Sequence, residues 1–238
     1  MRTTLTFTLI LLLCTISSTS CAQQRKATDQ FEVTGFTAIK SSVVANIMIM
    51  QSDKTSVTAE GSEELLNILE VRMDDGKLIL EMEKSFWKQF NKKADKLLIS
   101  ISTPTLTKID FDGVGNINIK GSFSSPGLIV NSKGVGNFTA RELDGGHVHI
   151  SSEGVGNISI AGTADSVEIR SEGVGNIDAG ELKSRRATVY SQGVGNVSCF
   201  ASEFLKARSG GIGNITYYGK PSETDLSKDG IGKIRAGN

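Results

Sequence analysis

One five-residue motif, Gly-Val-Gly-Asn-Ile, returns seven times along this chain and leaves few folds open to it. With small variations, copies begin at Gly113, Gly134, Gly154, Gly173, Gly193, Gly211 and Gly230, at intervals of 21, 20, 19, 20, 18 and 19 residues. Self-similarity at this period is the signature of a repeat architecture in which each unit buries its apolar side only against its neighbours. Alignment on the first Gly brings out further columns. Four residues before it stand Ile109, Val130, Ile150, Ile169, Val189, Ala207 and Leu226. Two before it stand Phe111, then Ser132, Ser152, Ser171, Ser191 and Ser209. One after it is always Val or Ile. Four after it stand Ile117, Phe138, Ile158, Ile177, Val197, Ile215 and Ile234, and six after it Ile119, Ala140, Ile160, Ala179, Cys199, Tyr217 and Ala236.

A period of two on either side of a Gly-rich corner, carried by β-branched residues, predicts short strands with one buried face. Each unit reads as strand, sharp corner, strand and polar return. The fold class is therefore all-β, a single-stranded β-helix or solenoid with coils of about 20 residues. Coils stack at the inter-strand spacing of about 4.8 Å, which gives seven of them a length on the order of 30 Å. Gly at the corner permits positive φ and close backbone approach. Asn116, Asn137, Asn157, Asn176, Asn196 and Asn214 recur at one place and are expected to bond from coil to coil, fixing register. Only Lys233 breaks that column. The Ser column offers a similar link at the inner edge of the corner. Four of these Asn lie in Asn-X-Ser/Thr sequons, read here as by-products of the corner.

Residues 30–105 lack the motif but carry strand signals at Phe31–Val33, Val43–Gln51, Ser56–Glu60, Leu78–Glu83 and Lys96–Ser102. Asp74-Asp75-Gly76-Lys77 predicts a tight turn. Ser62-Glu63-Glu64 before Leu65-Leu66 predicts one capped helical turn. This part is expected to form irregular coils that cover the N-terminal end of the regular stack 106–238, because an open strand edge invites aggregation.

The motif, with the segments before it, resembles the bacterial family called putative autotransporter adhesin, head GIN domain. Phe36-Thr37-Ala38-Ile39 is similar to the family's opening. Residues 45–51, 57–60, Leu65-Leu66, Gly76-Lys77-Leu78, 97–101, Pro104-Thr105-Leu106 and Ile109 are similar to its next segments. The resemblance covers roughly residues 30–238. It implies a right-handed β-helix-like domain on exported proteins of Gram-negative bacteria and brings no catalytic residue set. "Adhesin" is itself an analogy drawn at the level of the fold.

The front end agrees with export. Arg2 precedes an apolar stretch, Leu5 to Ile16, of signal-peptide length and too short to span a bilayer. Two processing routes fit: cleavage before Cys21 with lipid on its sulfur, or cleavage after Ala22. The first gives a signal peptide at 1–20, a linker at 21–29 and one domain at 30–238. Removing residues 1–20 takes away Arg2 and no acid, so 26 bases and 26 acids become 25 and 26. That balance offers no electrostatic footprint for nucleic acid. Of three cysteines, Cys14 and Cys21 lie in the export region. Cys199 falls in an inward column and reads as a buried structural residue.

The chemistry-bearing groups are sparse. Glu153 and Glu172 fall one residue before the Gly on neighbouring coils, a spacing similar to that of retaining glycosidases, but on a solvated corner. His147, His149 and Glu168 share an outward face and number enough for zinc; ordinary surface roles fit them better. No nucleophile elbow or dinucleotide loop is present, and no cofactor is expected. Asn118, Thr139, Ser159, Asp178, Ser198, Thr216 and Arg235 make a small, polar outward column suited to a glycan or a protein. The segment 84–93 holds the single Trp among bases. Its Phe86, Trp87 and Phe90 are candidate ligand-binding residues, by stacking on sugars or resting on lipid, or else they pack back onto the solenoid. The expected function is a non-catalytic envelope module anchored through Cys21, in the outer membrane and facing the surface or the periplasm. Its expected partners are a glycan or an envelope protein. The alternatives are a carbohydrate-active enzyme on a β-helix and a passive periplasmic protein.

Overall fold

The computed structural model describes residues 27–82 and 96–237. It is nearly all-β, 67% strand and 3% helix, wound into a β-solenoid of about six turns. The strands preceding the corner are β2 (Ala38–Ser42), β6 (Lys77–Met82), β8 (Lys108–Phe111), β13 (Leu182–Ser191), β15 (Phe204–Ser209) and β17 (Glu223–Lys228). Those following it are β3 (Asn46–Gln51), β7 (Leu98–Thr103), β12 (Ile177–Ala179), β14 (Val197–Phe200), β16 (Ile215–Tyr218) and β18 (Ile234–Ala236). Three long strands, β9 (Ile117–Ser132), β10 (Phe138–Ser152) and β11 (Ile158–Ser171), run from one corner to the next. The pairings of these strands from coil to coil are parallel, for example Ile150 with Val130 and Ile169, and the register shifts after Ala140 in the pairings of β10 with β9 and β11. Burial alternates along β9 but breaks at Lys120–Ser122 and again at Pro126–Gly127, so a full coil bends at three places.

The core is the set of inward columns. Ile109, Val130, Ile150, Ile169, Val189 and Ala207 are buried on one side, and Ile117, Phe138, Ile158, Ile177, Val197 and Ile215 on the other. Cys199 belongs to this core, fully buried, and burial pushes its thiol pKa up to about 12. The Ser column works through its main chain. The carbonyl of Ser132 accepts from Glu153 N at 2.8 Å and from Gly154 N at 3.1 Å, and the same pair of bonds recurs at Ser152, Ser171, Ser191 and Ser209.

The N-terminal part departs from a simple stack. β2 and β3 flank a corner at Val43–Ala45, and Val44 pairs in parallel with Val114 as each later Val pairs with the next. The first rung therefore lies at Val43-Val44-Ala45-Asn46-Ile47, inside the region expected to lack it. Its glycines are dispensable for a steric reason. A Cβ on Gly113 would stand 2.2 Å from Val43 O, and one on Gly115 would stand 1.9 Å from Ala45 O. The same clash with the preceding rung repeats at each later corner. Val43 and Ala45 carry side chains at the two places where the later rungs have Gly.

Space and chain order then disagree. The chain forms β2–β3, next lays β6–β7 on one side of them, and then lays β8–β9 on the other. β4 (Ser56–Gly61) pairs antiparallel with β7, and β1 (Ala27–Phe31) pairs antiparallel with β4. β5 (Leu69–Asp74) makes a hairpin with β6 through Asp75 and Gly76, both at positive φ. α1 (Glu63–Asn67) buries Leu65 and Leu66. Ser62 stands at its N-cap, but its hydroxyl makes no capping bond and is buried without a partner. β1 begins at Ala27, within the stretch 21–29 expected as linker.

Candidate functional site

The corners present two columns to solvent. The first is amide. Asn116 Nδ2 donates to Asn46 Oδ1 at 3.0 Å, and the step repeats through Asn137, Asn157, Asn176, Asn196 and Asn214 at 2.9 to 3.3 Å. Each Oδ1 also accepts the backbone N–H of the next residue in the column, and Asn214 Oδ1 takes the N–H of Lys233 at 3.0 Å. Asn46, absent from the sequence-derived set, is the first member. Its signal was the pair Asn46-Ile47 five residues after Ser41, where the other corners have Ser and Asn-Ile.

The second column is apolar. Val114, Val135, Val155, Val174, Val194, Ile212 and Ile231 point outward from the turn between the two glycines, with exposures from 38% to 71%. They form a straight ridge, one β-branched side chain per rung. Beside the ridge, one residue before each motif, stand Asp112, Lys133, Glu153, Glu172, Gln192, Gly210 and Asp229. Lys133 and Glu153 pair at 3.0 Å. Asp112, Glu172 and Asp229 form no ion pair among the described residues.

The strand face after the corner carries the small polar column Asn118, Thr139, Ser159, Asp178, Ser198, Thr216 and Arg235. Ser198 donates its hydroxyl to the Asp178 carboxylate, and Gly180 N donates to the same carboxylate at 3.2 Å. Two residues further along each coil the side chains are Lys120, Arg141, Ala161, Gly180, Phe200 and Tyr218. The last two are half-buried rings on paired positions of adjacent coils. Lys183 Nζ stands over the Phe200 ring at 4.3 Å. The Tyr218 ring lies where a Cβ on Gly180 or on Gly237 would fall, within 2.7 and 2.3 Å of ring carbons. Small residues below thus hold an aromatic shelf beside a row of hydroxyls. The column mixes long bases, small residues and rings, so nothing in its sequence marks Phe200 and Tyr218.

The strand face before the corner is laced with ion pairs. Arg170 reaches Glu168 at 2.7 Å and stacks on Tyr190 at 5.1 Å. Arg208 reaches Asp225 at 2.6 Å. Arg185 pairs with Glu203 at 2.8 Å, and the hydrogen bond from its guanidinium holds the Glu203 carboxyl below the usual carboxylate range. The two histidines take separate partners: His147 Nδ1 meets Ser166 Oγ at 2.7 Å, while His149 Nδ1 faces Glu168 at 3.5 Å. Among the described residues no three His, Cys, Asp or Glu gather as metal ligands. A shallow hollow near Asp144 and Asp165 is lined by small residues, and Thr163 donates to Asp144 at 3.0 Å. Among the described residues no helix is long and apolar enough to cross a membrane. Cys21, Phe86, Trp87 and Phe90 lie outside the described residues.

Residues 35–221 match the family model described as putative auto-transporter adhesin, head GIN domain. Among solved structures, a putative adhesin from Bacteroides fragilis is similar at 35% sequence identity and a TM-score of 0.86, over 90% of this chain and 97% of that one. A putative adhesin from Parabacteroides distasonis shares the fold at 19% identity and a TM-score of 0.63, over 90% of this chain and 98% of its own. A putative lipid binding protein from the same species does so at 22% and 0.63, over 91% and 98%. No curated protein matches the chain.

Proposed function

From the premise that this chain belongs to the head GIN domain family, we propose that it is a non-catalytic module of the cell envelope that holds a surface glycan on the strand face after its corners. The observation that carries this reading is the row of small hydroxyls leading to Phe200 and Tyr218. Sugar rings present apolar C–H faces beside hydroxyls, and an aromatic shelf next to Thr139, Ser159, Asp178, Ser198 and Thr216 complements both. Gly180 and Gly237 seat the Tyr218 ring, which restricts its rotamers, so binding costs little side-chain entropy.

Catalysis of glycan cleavage is disfavoured by the same geometry. An acid and a base must converge on one bond. Here Glu168, Glu203 and Asp225 are each tied to an Arg, and Glu153 is tied to Lys133. In this reading the chain is exported through residues 1–20, anchored in the outer membrane through lipid on Cys21, and helped in binding by Phe86, Trp87 and Phe90.

The test joins the two halves. Labelled palmitate is followed in cells making the intact chain or Cys21→Ala, and retention on envelope polysaccharide is measured for Phe200→Ala, Tyr218→Ala and Trp87→Ala. Label that needs Cys21, with retention that falls at least tenfold in the Tyr218 variant, is the expected result. Retention indifferent to all three rings removes the glycan reading.

A further inference from the structure

The apolar ridge is not used by that face. Seven Val and Ile side chains at these exposures leave roughly 600 Å² of apolar surface in one strip, as large as the largest patch on most monomers. The strip has a Gly column along each side, where no side chain stands between ridge and backbone. A protein partner whose side chains mesh with every rung repeats at the strand spacing of about 4.8 Å. A second copy of the chain has that period by construction.

We propose that the ridge is the interface of a two-fold dimer in which two solenoids lie side by side with parallel axes, each ridge resting on a glycine column of the other. The flanking charges choose between the two possible orientations. With antiparallel axes the acidic column meets itself in reverse, so Glu172, fourth of seven, faces its own copy and Asp112 faces Asp229. That arrangement stacks like charges. With parallel axes the acidic column of one copy runs beside the Asn column of the other at the same rung. Each Asn Nδ2 carries two hydrogens and the ladder uses one, so the other is available to Asp112, Glu153 and Glu172. At the seventh rung the Asn column changes to Lys233, and the facing residue is Asp229. The one break in the ladder thus meets an acid that forms no ion pair among the described residues. The strip is about three-quarters of the roughly 800 Å² each partner gives to a standard interface, and the two flanking columns supply the rest.

The experiment is sedimentation equilibrium of the full chain carrying Cys14→Ser and Cys21→Ser in a non-ionic detergent. The expected mass is twice the monomer. Val155→Lys with Val174→Lys should give a monomer with an unchanged circular dichroism spectrum, because both side chains are exposed. Asp229→Lys should raise the dimer Kd about tenfold. Adding Lys233→Asp to it should restore the original value, which a merely structural role would not do. Oxidation of Val135→Cys should yield a self-linked dimer. A monomer at every concentration overturns the proposal. So does linkage of Val135→Cys only to Ile212→Cys, the pairing of antiparallel axes. Binding to phosphatidylglycerol vesicles that is lost in the Val155→Lys, Val174→Lys chain, with no dimer formed, assigns the ridge to a membrane instead.

Discussion

The coils from Gly113 onward and the part before them bury the same kinds of residue but hold register by different means. In the regular stack every rung meets a near copy of itself, so one pair of glycines repeats at each corner and one amide ladder repeats as far as Lys233. In the first part each strand meets a different partner. β2 lies between β6 and β8, β7 between β3 and β4, and antiparallel β1 and β5 close the two edges. Register there is set by individual pairings and by the Asp75-Gly76 hairpin. The difference teaches that the second glycine of each later repeat is demanded twice, by its positive φ and by the rung beneath, and that the first corner escapes both demands. Val43 and Ala45 turn the same corner, and neither has positive φ.

Four experiments break or sharpen that contrast. The largest effect is expected from deletion. Removing residues 154–172, one whole coil, rejoins Glu153 to Gly173 and recreates the native sequence at the seam. The shortened chain should fold, with a lower denaturation midpoint, as a nearest-neighbour array does. Removing residues 77–82 takes away the strand between β5 and β2, and no cooperative unfolding transition should remain. Next comes the corner. Gly175 has φ of 141°, and a Cβ there would stand 1.9 Å from Gly156 O. Gly175→Ala should cost more than about 4 kcal/mol in chemical denaturation, whereas Gly35→Ala, with nothing within 4 Å, should leave the midpoint in place.

Smaller effects follow from the ladder. Asn157→Ala removes an acceptor of two bonds and should cost about 1–2 kcal/mol. Asn46→Ala should cost as much if the first rung works as the others do, and a null result there would separate the two regions again. The smallest effect is expected from Arg185 and Glu203, which are exposed. Because the Glu203 pKa is lowered in the folded chain, the pair's contribution is present above the ordinary carboxylate range and disappears as pH falls through the lowered value. Arg185→Ala should flatten that acid limb slightly, and added salt should do the same.

The solenoid, its inward columns and the burial of Cys199 were legible because the repeat states them seven times. The first rung was not, since Val43 and Ala45 replace the residues that mark the motif. The threading of β6–β7 on the far side of β2–β3 left no local signal, because either side of β2 accepts an apolar strand. The outward turn of the Val column also escaped the period-two reading. The alternation runs unbroken through the corner, from Phe111 and Gly113 to Ile117 on the inward side, so the residue one after the Gly falls on the outward side although it is apolar. On the candidate face the hydroxyl column could be read from spacing. The seat of Tyr218 could not, because it depends on Gly180 and Gly237 in two other coils.

The sandwiching of β2 also gives the molecule a mechanical polarity. A load applied at the last coil acts on β17 and β18, which among the described residues have a neighbour on one side only, and peels rungs away one at a time at low force. A load applied ahead of β2 must slide that strand out from between β6 and β8, breaking both ladders at once. A chain held at its front and pulled at its back would therefore shed its repeats in sequence, lengthening like an unrolling tether, while the strands around β2 stay folded to the last.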